Sequence, residues 1–226
     1  MMHTVSIILQ YTGCFLLFFF YSGWAKRNNS NRVFDGRGIL AKKAWVLIGL
    51  HLTGVICLGL LPFLSFSKSP LTILFGGSFP SLVWICSFVL FFWITAFAGL
   101  AAGKKICIKY ERIRKLSNKF LIIYFLVRVI FLCAYELFFR GTLLFSFMQF
   151  FGIAAAIIFS TCLTVLVHVF TNKKEMISCV PFGILLSALC ISINAVWPAI
   201  VIHLALSFAY EIRPLHHFLT RLKPIK

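Results

Sequence analysis

Long apolar stretches separated by short, mostly basic connections run along the whole chain. Seven of them are long enough, or nearly so, to cross the hydrocarbon core of a bilayer, which takes about 20 helical residues for about 30 Å. They are residues 5–24, 44–66, 81–102, 120–147, 150–170, 177–193 and 198–210. The pattern predicts an all-α, polytopic membrane helix bundle with about seven transmembrane helices. The last two stretches are shorter and are broken around 194–198, which leaves a re-entrant or tilted arrangement open there.

The distribution of charge predicts the orientation of these helices. The 226 residues include 22 Lys and Arg but only 5 Asp and Glu, and the mean hydropathy is +0.99. Such apolar content excludes a disordered chain, and a soluble nucleic-acid binder would carry its cations around a modest core. Nineteen cations lie in the odd-numbered connections and the C-terminal tail, whereas Lys68 alone lies on the other side. The positive-inside rule therefore predicts an external N-terminus and a cytoplasmic C-terminus.

Small residues in the apolar stretches have structural interpretations. The eight cysteines fall in spans or on the predicted cytoplasmic side without a CxxC pair, so we interpret them as packing residues rather than a disulfide framework. Gly99 and Gly103 form a small-xxx-small pair, which predicts a close contact between two helices.

Ionisable residues inside a span are costly and are candidates for function. Four of the five acids lie in loops or at a span end and are interpreted as solvated charges: Asp35, Glu111, Glu175 and Glu211. Glu136 lies within a span, and Arg140, four residues later, can pair with it on the same helix face. Arg128 is expected within reach of the same polar cluster. A structural ion pair between two helices is the alternative for this set.

Two histidines lie in later spans and could join Glu136. His168 stands near the predicted inner end of its stretch, and His203 stands one turn into the last stretch with Ser207 on the same face. Each of them alone could be structural, and His51, with no polar neighbour at helical spacing, is interpreted as structural. By the charge map Glu136 lies about 25 Å from Lys119 toward the outer face. His168 and Glu136 therefore meet only if a helix is broken, tilted or re-entrant, and residues 141–152 are the expected place.

The combination of one buried carboxylate, one arginine and two histidines suits hydrolysis. A carboxylate near imidazoles can act as a general base toward water, and an imidazole can stabilise an oxyanion. The chain lacks the HExxH and GxSxG signatures of soluble hydrolases. A zinc site is less favoured, because no two of these residues have the i,i+3 or i,i+4 spacing of paired ligands, and we expect no cofactor.

The segment Tyr135–Gly141, YELFFRG, resembles the E-E-x-x-x-R(-G) motif of the CAAX-protease and bacteriocin-processing (CPBP, or Abi) family. His168 is similar to the histidine of the family's second motif, F-x-x-x-H, and His203 with Ser207 is similar to the third, H-x-x-x-N/D. The resemblance covers roughly residues 120–210. It implies a glutamic-type intramembrane protease in which Glu136, His168 and His203 are catalytic. Arg140, Ser207, Tyr135 and Arg128 are then supporting residues.

Three positions depart from the family's pattern. Tyr135 replaces the first glutamate, which in the family is thought to activate the water, and tyrosine, with an ordinary pKa of about 10, is no base near neutral pH. Thr164 replaces the Phe of the second motif, and Ser207 replaces the Asn or Asp of the third. We therefore keep three alternatives: an active intramembrane endopeptidase, a catalytically impaired relative in bacteriocin immunity or scaffolding, and a small transporter or channel.

The resemblance also implies a domain organisation and a setting. We predict one integral membrane domain over residues 1–226, with three variable N-terminal helices in 1–119. A CPBP-like core follows in 120–210, and a basic cytoplasmic tail in 211–226. The expected location is a prokaryotic inner membrane, as a multi-pass protein. The expected partners are the lipid bilayer and a membrane-anchored protein or peptide substrate, with no nucleic acid.

Overall fold

The computed structural model describes residues 2–28, 44–63, 70–76, 80–109, 118–171 and 173–221. Within these ranges the chain is almost entirely helical and has no β-strand. The helices, numbered in chain order, are α1 (Met2–Arg27), α2 (Ala44–Gly54), α3 (Pro70–Phe75), α4 (Leu82–Lys109), α5 (Asn118–Glu136), α6 (Leu144–Val167), α7 (Lys173–Ile193) and α8 (Trp197–Arg221). Helix α2 is prolonged by a π-helical segment, Val55–Leu60, and by the turn Leu61–Phe63. A second π-helical segment, Leu137–Leu143, joins α5 to α6, and a 3₁₀ turn, His168–Phe170, ends α6. The predicted all-α bundle is confirmed.

The surface of the bundle is that of a membrane protein. Four helical stretches in the described part are long and apolar enough to cross a bilayer: Ile8–Arg27, Leu82–Lys105, Asn118–Phe170 and Lys173–Ile193. Large apolar side chains such as Phe20, Leu82 and Phe97 point outward and are more than 60% exposed, whereas Glu136 and Arg140 are fully buried. A water-soluble monomer rarely exposes so much apolar surface. The chain is therefore an integral membrane protein.

The chain reverses direction at Gly152, inside α6. Its φ of 79° and ψ of 172° belong to a region that essentially only glycine occupies. The two limbs pack against each other, since the Phe147 and Phe159 rings stack at 4.3 Å and the Ser160 hydroxyl donates to the Phe139 carbonyl at 2.8 Å. The break expected within residues 141–152 is thus confirmed, and it produces an antiparallel helical hairpin.

Helices α7 and α8 form a second hairpin, whose turn lies at residues 194–196. Asn194 adopts a positive φ of 54°, and the Val196 N–H donates to the Ile73 carbonyl at 3.1 Å, which ties the turn to α3. The break expected around 194–198 is present, and the two helices, of 21 and 25 residues, are longer than the apolar stretches within them. The apolar stretches underestimated them, because α7 begins at Lys173 and α8 continues to Arg221, and both extensions contain charged residues.

Helix α8 lies unusually close to α4. A Cβ atom at Gly99 would lie 2.5 Å from the Leu206 carbonyl oxygen, and one at Gly103 would lie 2.8 Å from that of Tyr210. The contact predicted from the Gly99/Gly103 pair is therefore confirmed. Because α8 also carries His203, this packing holds one side of the candidate site.

Helix ends that carry cations lie together at one end of the bundle. Trp45 at the start of α2 contacts Phe120 at the start of α5, with ring centroids 5.8 Å apart. A Cβ atom at Gly103, near the end of α4, would lie 3.3 Å from the Arg213 Cβ atom of α8. This grouping agrees with the charge map, and the cytoplasmic identity of that end stays a prediction.

Candidate active site

Glu136 ends α5 at the point where the helix widens into a π-helical segment, a local distortion that often accompanies functional sites. Its side chain has no exposed surface. One carboxylate oxygen, Oε2, lies 3.3 Å from Arg140 Nη1, which confirms the predicted pair. The other, Oε1, accepts a hydrogen bond from His203 Nδ1 at 2.5 Å. The contact with His203 is therefore a hydrogen bond, whereas the contact with Arg140 is an ion pair.

His203 extends from the second turn of α8 toward Glu136. Because Nδ1 donates to the carboxylate, Nε2 is the nitrogen directed away from Glu136. The side chain keeps 15% exposure and lines a cavity. The aromatic rings of Tyr135 and Phe182 meet the imidazole nearly edge-on, at centroid distances of 5.7 and 5.6 Å. The arrangement is a carboxylate–imidazole dyad in which the carboxylate is fully buried and the imidazole is partly exposed.

His168 approaches the same site from the 3₁₀ turn that ends α6. Its Nδ1 donates to the Thr164 carbonyl at 2.9 Å, and its ring stands edge-on to Tyr135 at a centroid distance of 6.5 Å. The sequence placed His168 at a different depth from Glu136. Both residues are sixteen positions from the reversal at Gly152, about 24 Å of helix along each limb, so the hairpin brings them level.

Tyr135 occupies the space between the two histidines. It is 2% exposed, its ring contacts His168 and His203, and its hydroxyl is buried near Thr164. Phe139, one turn later, covers the opposite side of the ring at a centroid distance of 4.5 Å. The phenol thus fills the position where the family's motif has a carboxylate.

Arg128 does not join Glu136, contrary to the prediction from helical spacing. It forms a second polar cluster one to two turns away, in which Nη1 contacts His51 Nε2 at 3.0 Å and Nη2 donates to Ser207 Oγ at 3.1 Å. Nη2 also lies 3.4 Å from a Glu211 carboxylate oxygen, and the Tyr124 hydroxyl donates to that carboxylate at 3.0 Å.

This second cluster corrects the interpretation of Glu211 and gives His51 a polar partner. Glu211, expected to be solvated, is only 6% exposed and is paired with Arg128. His51, for which the sequence offered no polar partner, contacts Arg128 from a different helix. The sequence could have indicated that Glu211 belongs to the site. It follows His203 and Ser207 at intervals of four residues, which places the three on one face of α8.

A cavity of about 510 Å³ connects the two clusters. Its walls are mainly apolar and come from α1, α2, α4 and α8, with side chains such as Phe18, Leu47, Ile94 and Leu206. The polar groups that reach it include His168, His203, Ser207, Arg128 and Glu211. Sites that bind small ligands usually have this composition, with mainly apolar walls and a few polar groups that point toward the same space.

No group of three or more His, Cys, Asp or Glu residues is arranged to hold a metal ion in the part of the chain that the structure describes. Of the site residues, Glu136 and His203 contact each other directly, whereas Tyr135 separates His203 from His168. The arrangement can take a proton from a bound water, and the expectation of no cofactor stays a prediction.

Residues 117–209 match the family model of the Rce1-like type II CAAX prenyl endopeptidases. The match spans all three motif positions and confirms the resemblance to the CAAX-protease family. No curated protein and no solved structure matches the chain.

The Rce1-like segment contains Glu136, Arg140, His168, His203 and Ser207. It begins just before α5 and ends within α8, so it comprises the first helical hairpin and most of the second. His51 of α2 and Glu211 of α8 lie outside it and still complete the polar lining of the cavity. The comparison supports a protease at the level of the family. It leaves the three departures from the family's motifs, at Tyr135, Thr164 and Ser207, unexplained.

Proposed function

We propose that the protein is an intramembrane endopeptidase that hydrolyses a peptide bond of a membrane-associated protein or peptide. The observation that carries the proposal is the hydrogen bond between the buried Glu136 carboxylate and His203 Nδ1, within a cavity inside a membrane protein. The family match over residues 117–209 supports the same reaction class.

Water activation is assigned to His203 rather than to Glu136. The His203 side chain keeps 15% exposure whereas the Glu136 carboxylate has none, so the first contact of an incoming water is assigned to the imidazole. Glu136 fixes the tautomer that leaves Nε2 unprotonated and stabilises the imidazolium that forms, as the carboxylate does in a Ser-His-Asp triad. Arg140 balances the buried carboxylate, since an unpaired buried charge is strongly destabilising.

The reaction proceeds in two proton transfers. His203 Nε2 takes a proton from water as its oxygen attacks the carbonyl carbon, which gives a tetrahedral intermediate. The imidazolium then returns the proton to the leaving amine as the C–N bond breaks. His168 is held by the hydrogen bond between Nδ1 and the Thr164 carbonyl, and Tyr135 lies against both its ring and that of His203. These steps use side chains and water and call for no metal.

The substrate is assigned to membrane-anchored or lipidated proteins, cut near the C-terminus. The cavity walls are mainly apolar, so an apolar tail or lipid group can enter between the helices. The name of the matched family concerns CAAX prenyl proteins, which are anchored in this way. A prokaryotic inner membrane, with the C-terminus cytoplasmic, is the setting that we propose.

The proposal is tested with purified protein in lipid vesicles. Peptides with apolar C-terminal tails, with and without a prenylated cysteine, are incubated with it, and new termini are identified by mass spectrometry. Glu136→Gln and His203→Gln are each expected to lower kcat/KM by about 10²–10⁴-fold. His216→Gln, which changes an exposed histidine of the same helix, is the matched control. Unchanged cleavage by the first two variants would refute this mechanism.

A further inference from the structure

One face of α1 carries large aromatic side chains at every fourth position. Tyr11, Phe15 and Phe19 follow one another at this spacing, and Gly23 continues the same line. Residues four apart in a helix lie on the same face, so these four positions form the aromatic face of α1. Tyr11 and Phe15 are buried, although α1 lies outside residues 117–209, which match the family model.

The first half of the aromatic face packs against the π-helical segment that follows Glu136. The Tyr11 ring meets that of Phe138 edge-on at a centroid distance of 6.1 Å, and the Phe15 ring meets that of Phe139 edge-on at 6.4 Å. Phe138 and Phe139 have no exposed surface. Edge-on aromatic pairs have a preferred geometry, so α1 helps to fix the segment at whose start Glu136 stands.

The second half of the aromatic face packs against the 3₁₀ turn that carries His168. Phe170 lies in that turn, and its ring centroid is 4.7 Å from that of Phe19. A Cβ atom at Gly23 would lie 3.1 Å from two carbon atoms of the Phe170 ring, so the ring rests directly against α1 where the helix has no side chain. The Thr171 hydroxyl donates to the His168 carbonyl at 2.6 Å. Phe170 therefore anchors the turn of His168 to α1.

The aromatic face thus contacts both arms of the candidate site. The chain leaves Glu136, reverses at Gly152 about 24 Å away and returns to His168. A small rotation at the reversal is magnified over that length, so contacts near the site itself fix the two residues most directly. Catalytic groups require placement to within about 0.5 Å, and a displacement of about 1 Å can lower a rate by about 10²-fold.

We propose that the aromatic face of α1 is a positioning element of the active site, and that Phe19 and Gly23 act on His168 through the Phe170 ring. Neither Phe19 nor Gly23 lines the described cavity, so neither touches a bound substrate there. This inference rests on the proposed function and gives catalysis a determinant outside the matched family segment. It requires kcat, rather than KM, to depend on the packing of Phe170 against α1.

The first test measures kcat and KM for Gly23→Ala, with Gly13→Ala as the matched control. Both variants add a methyl group to α1. At Gly13 it meets nothing within 4 Å, whereas at Gly23 the Phe170 ring has to move by a few tenths of an ångström. Gly23→Ala is expected to lower kcat by about 3–10-fold with little change in KM, and Gly13→Ala is expected to keep wild-type kcat. In a Phe170→Leu background, which lacks the contacting ring atoms, Gly23→Ala is expected to change kcat by less than about 2-fold.

The second test asks whether the effect passes through His168. In a His168→Gln background, Gly23→Ala is expected to lower kcat by less than about 2-fold more, because residues acting as a unit are not additive. A full, multiplicative loss would overturn the route through His168, and wild-type kcat in Gly23→Ala alone would overturn the inference. An inactive Glu136→Gln enzyme would leave the proposed function standing in both cases.

A third measurement needs no substrate. The Cε1 signal of His168 is followed by NMR in protein with isotope-labelled histidine, and it is identified by its absence from His168→Gln. It is expected to shift in Gly23→Ala and to stay in place in Gly13→Ala. A shift in a protein without cleavage activity would refute the proposed function and support the coupling of α1 to His168. No shift would overturn this inference whatever the activity.

Discussion

The contact between α4 and α8 gives the sharpest test of how the site is held. Replacing Gly99 by alanine puts a methyl group 2.5 Å from the Leu206 carbonyl oxygen and 2.9 Å from the Ala209 Cβ atom. Backbone cannot move aside as a flexible side chain can, so the two helices have to separate by several tenths of an ångström. Gly13 is the matched control, because it lies in α1 and an added Cβ would meet nothing within 4 Å.

The difference between the two variants isolates the steric effect. Both alanines gain the same helix propensity, about 1 kcal/mol over glycine, so this gain cancels in the comparison. Overpacking typically destabilises by about 1–3 kcal/mol. At about 3 °C per kcal/mol for a chain of this size, Gly99→Ala is expected to unfold about 3–9 °C below Gly13→Ala.

Thermal unfolding is followed in detergent with a thiol-reactive dye. The exposed Cys86 and Cys162 react before heating and give a constant baseline, whereas buried thiols react on unfolding: Cys14, Cys57, Cys179 and Cys190. Cleavage activity is expected to fall in parallel, because α8 carries His203 and Ser207. If Gly99→Ala unfolds within about 1 °C of Gly13→Ala, the close approach of α4 and α8 is wrong.

Three further predictions concern the hairpin and the buried charges. Gly152→Ala is expected to destabilise the protein by about 1–3 kcal/mol, because the backbone of an alanine is strained at this φ and ψ. The loss of stability is measured by thermal unfolding, with Gly13→Ala as the reference. Glu136→Ala is expected to destabilise by about 3–5 kcal/mol by leaving Arg140 unpaired, and Glu136→Ala/Arg140→Met is expected to recover most of this in the same assay. Tyr135→Glu is expected to lower cleavage in an active enzyme; a gain of cleavage from an inert parent would instead support the catalytically impaired relative.

Local patterns in the sequence were enough to predict the helices and one half of the site. Apolar runs separated by charges predict the seven helical stretches, and the four-residue spacing of Glu136 and Arg140 predicts their pair. The Gly99/Gly103 spacing likewise predicts the contact with another helix, although it does not say which helix. These features succeed because each depends on residues within one or two turns of one another.

The remaining features depend on contacts between distant parts of the chain. The depth of His168 is set by the reversal at Gly152, and apolar composition alone does not distinguish a glycine that reverses the chain from one that packs in a helix. Arg128 finds its partners 77 and 79 positions away, at His51 and Ser207, so helical spacing within α5 led to the wrong partner.

The buried charges are balanced in pairs, and this balance bears on the role of Tyr135. Glu136 is paired with Arg140, Glu211 is paired with Arg128, and each carboxylate accepts one further hydrogen bond, from His203 and Tyr124 respectively. A glutamate at position 135 would add a third buried carboxylate, for which no third arginine lines the described cavity. The tyrosine is therefore consistent with a site in which an imidazole, rather than a second carboxylate, takes the proton from water. The same balance explains why removing a single charged partner is expected to harm folding, whereas removing both is tolerated.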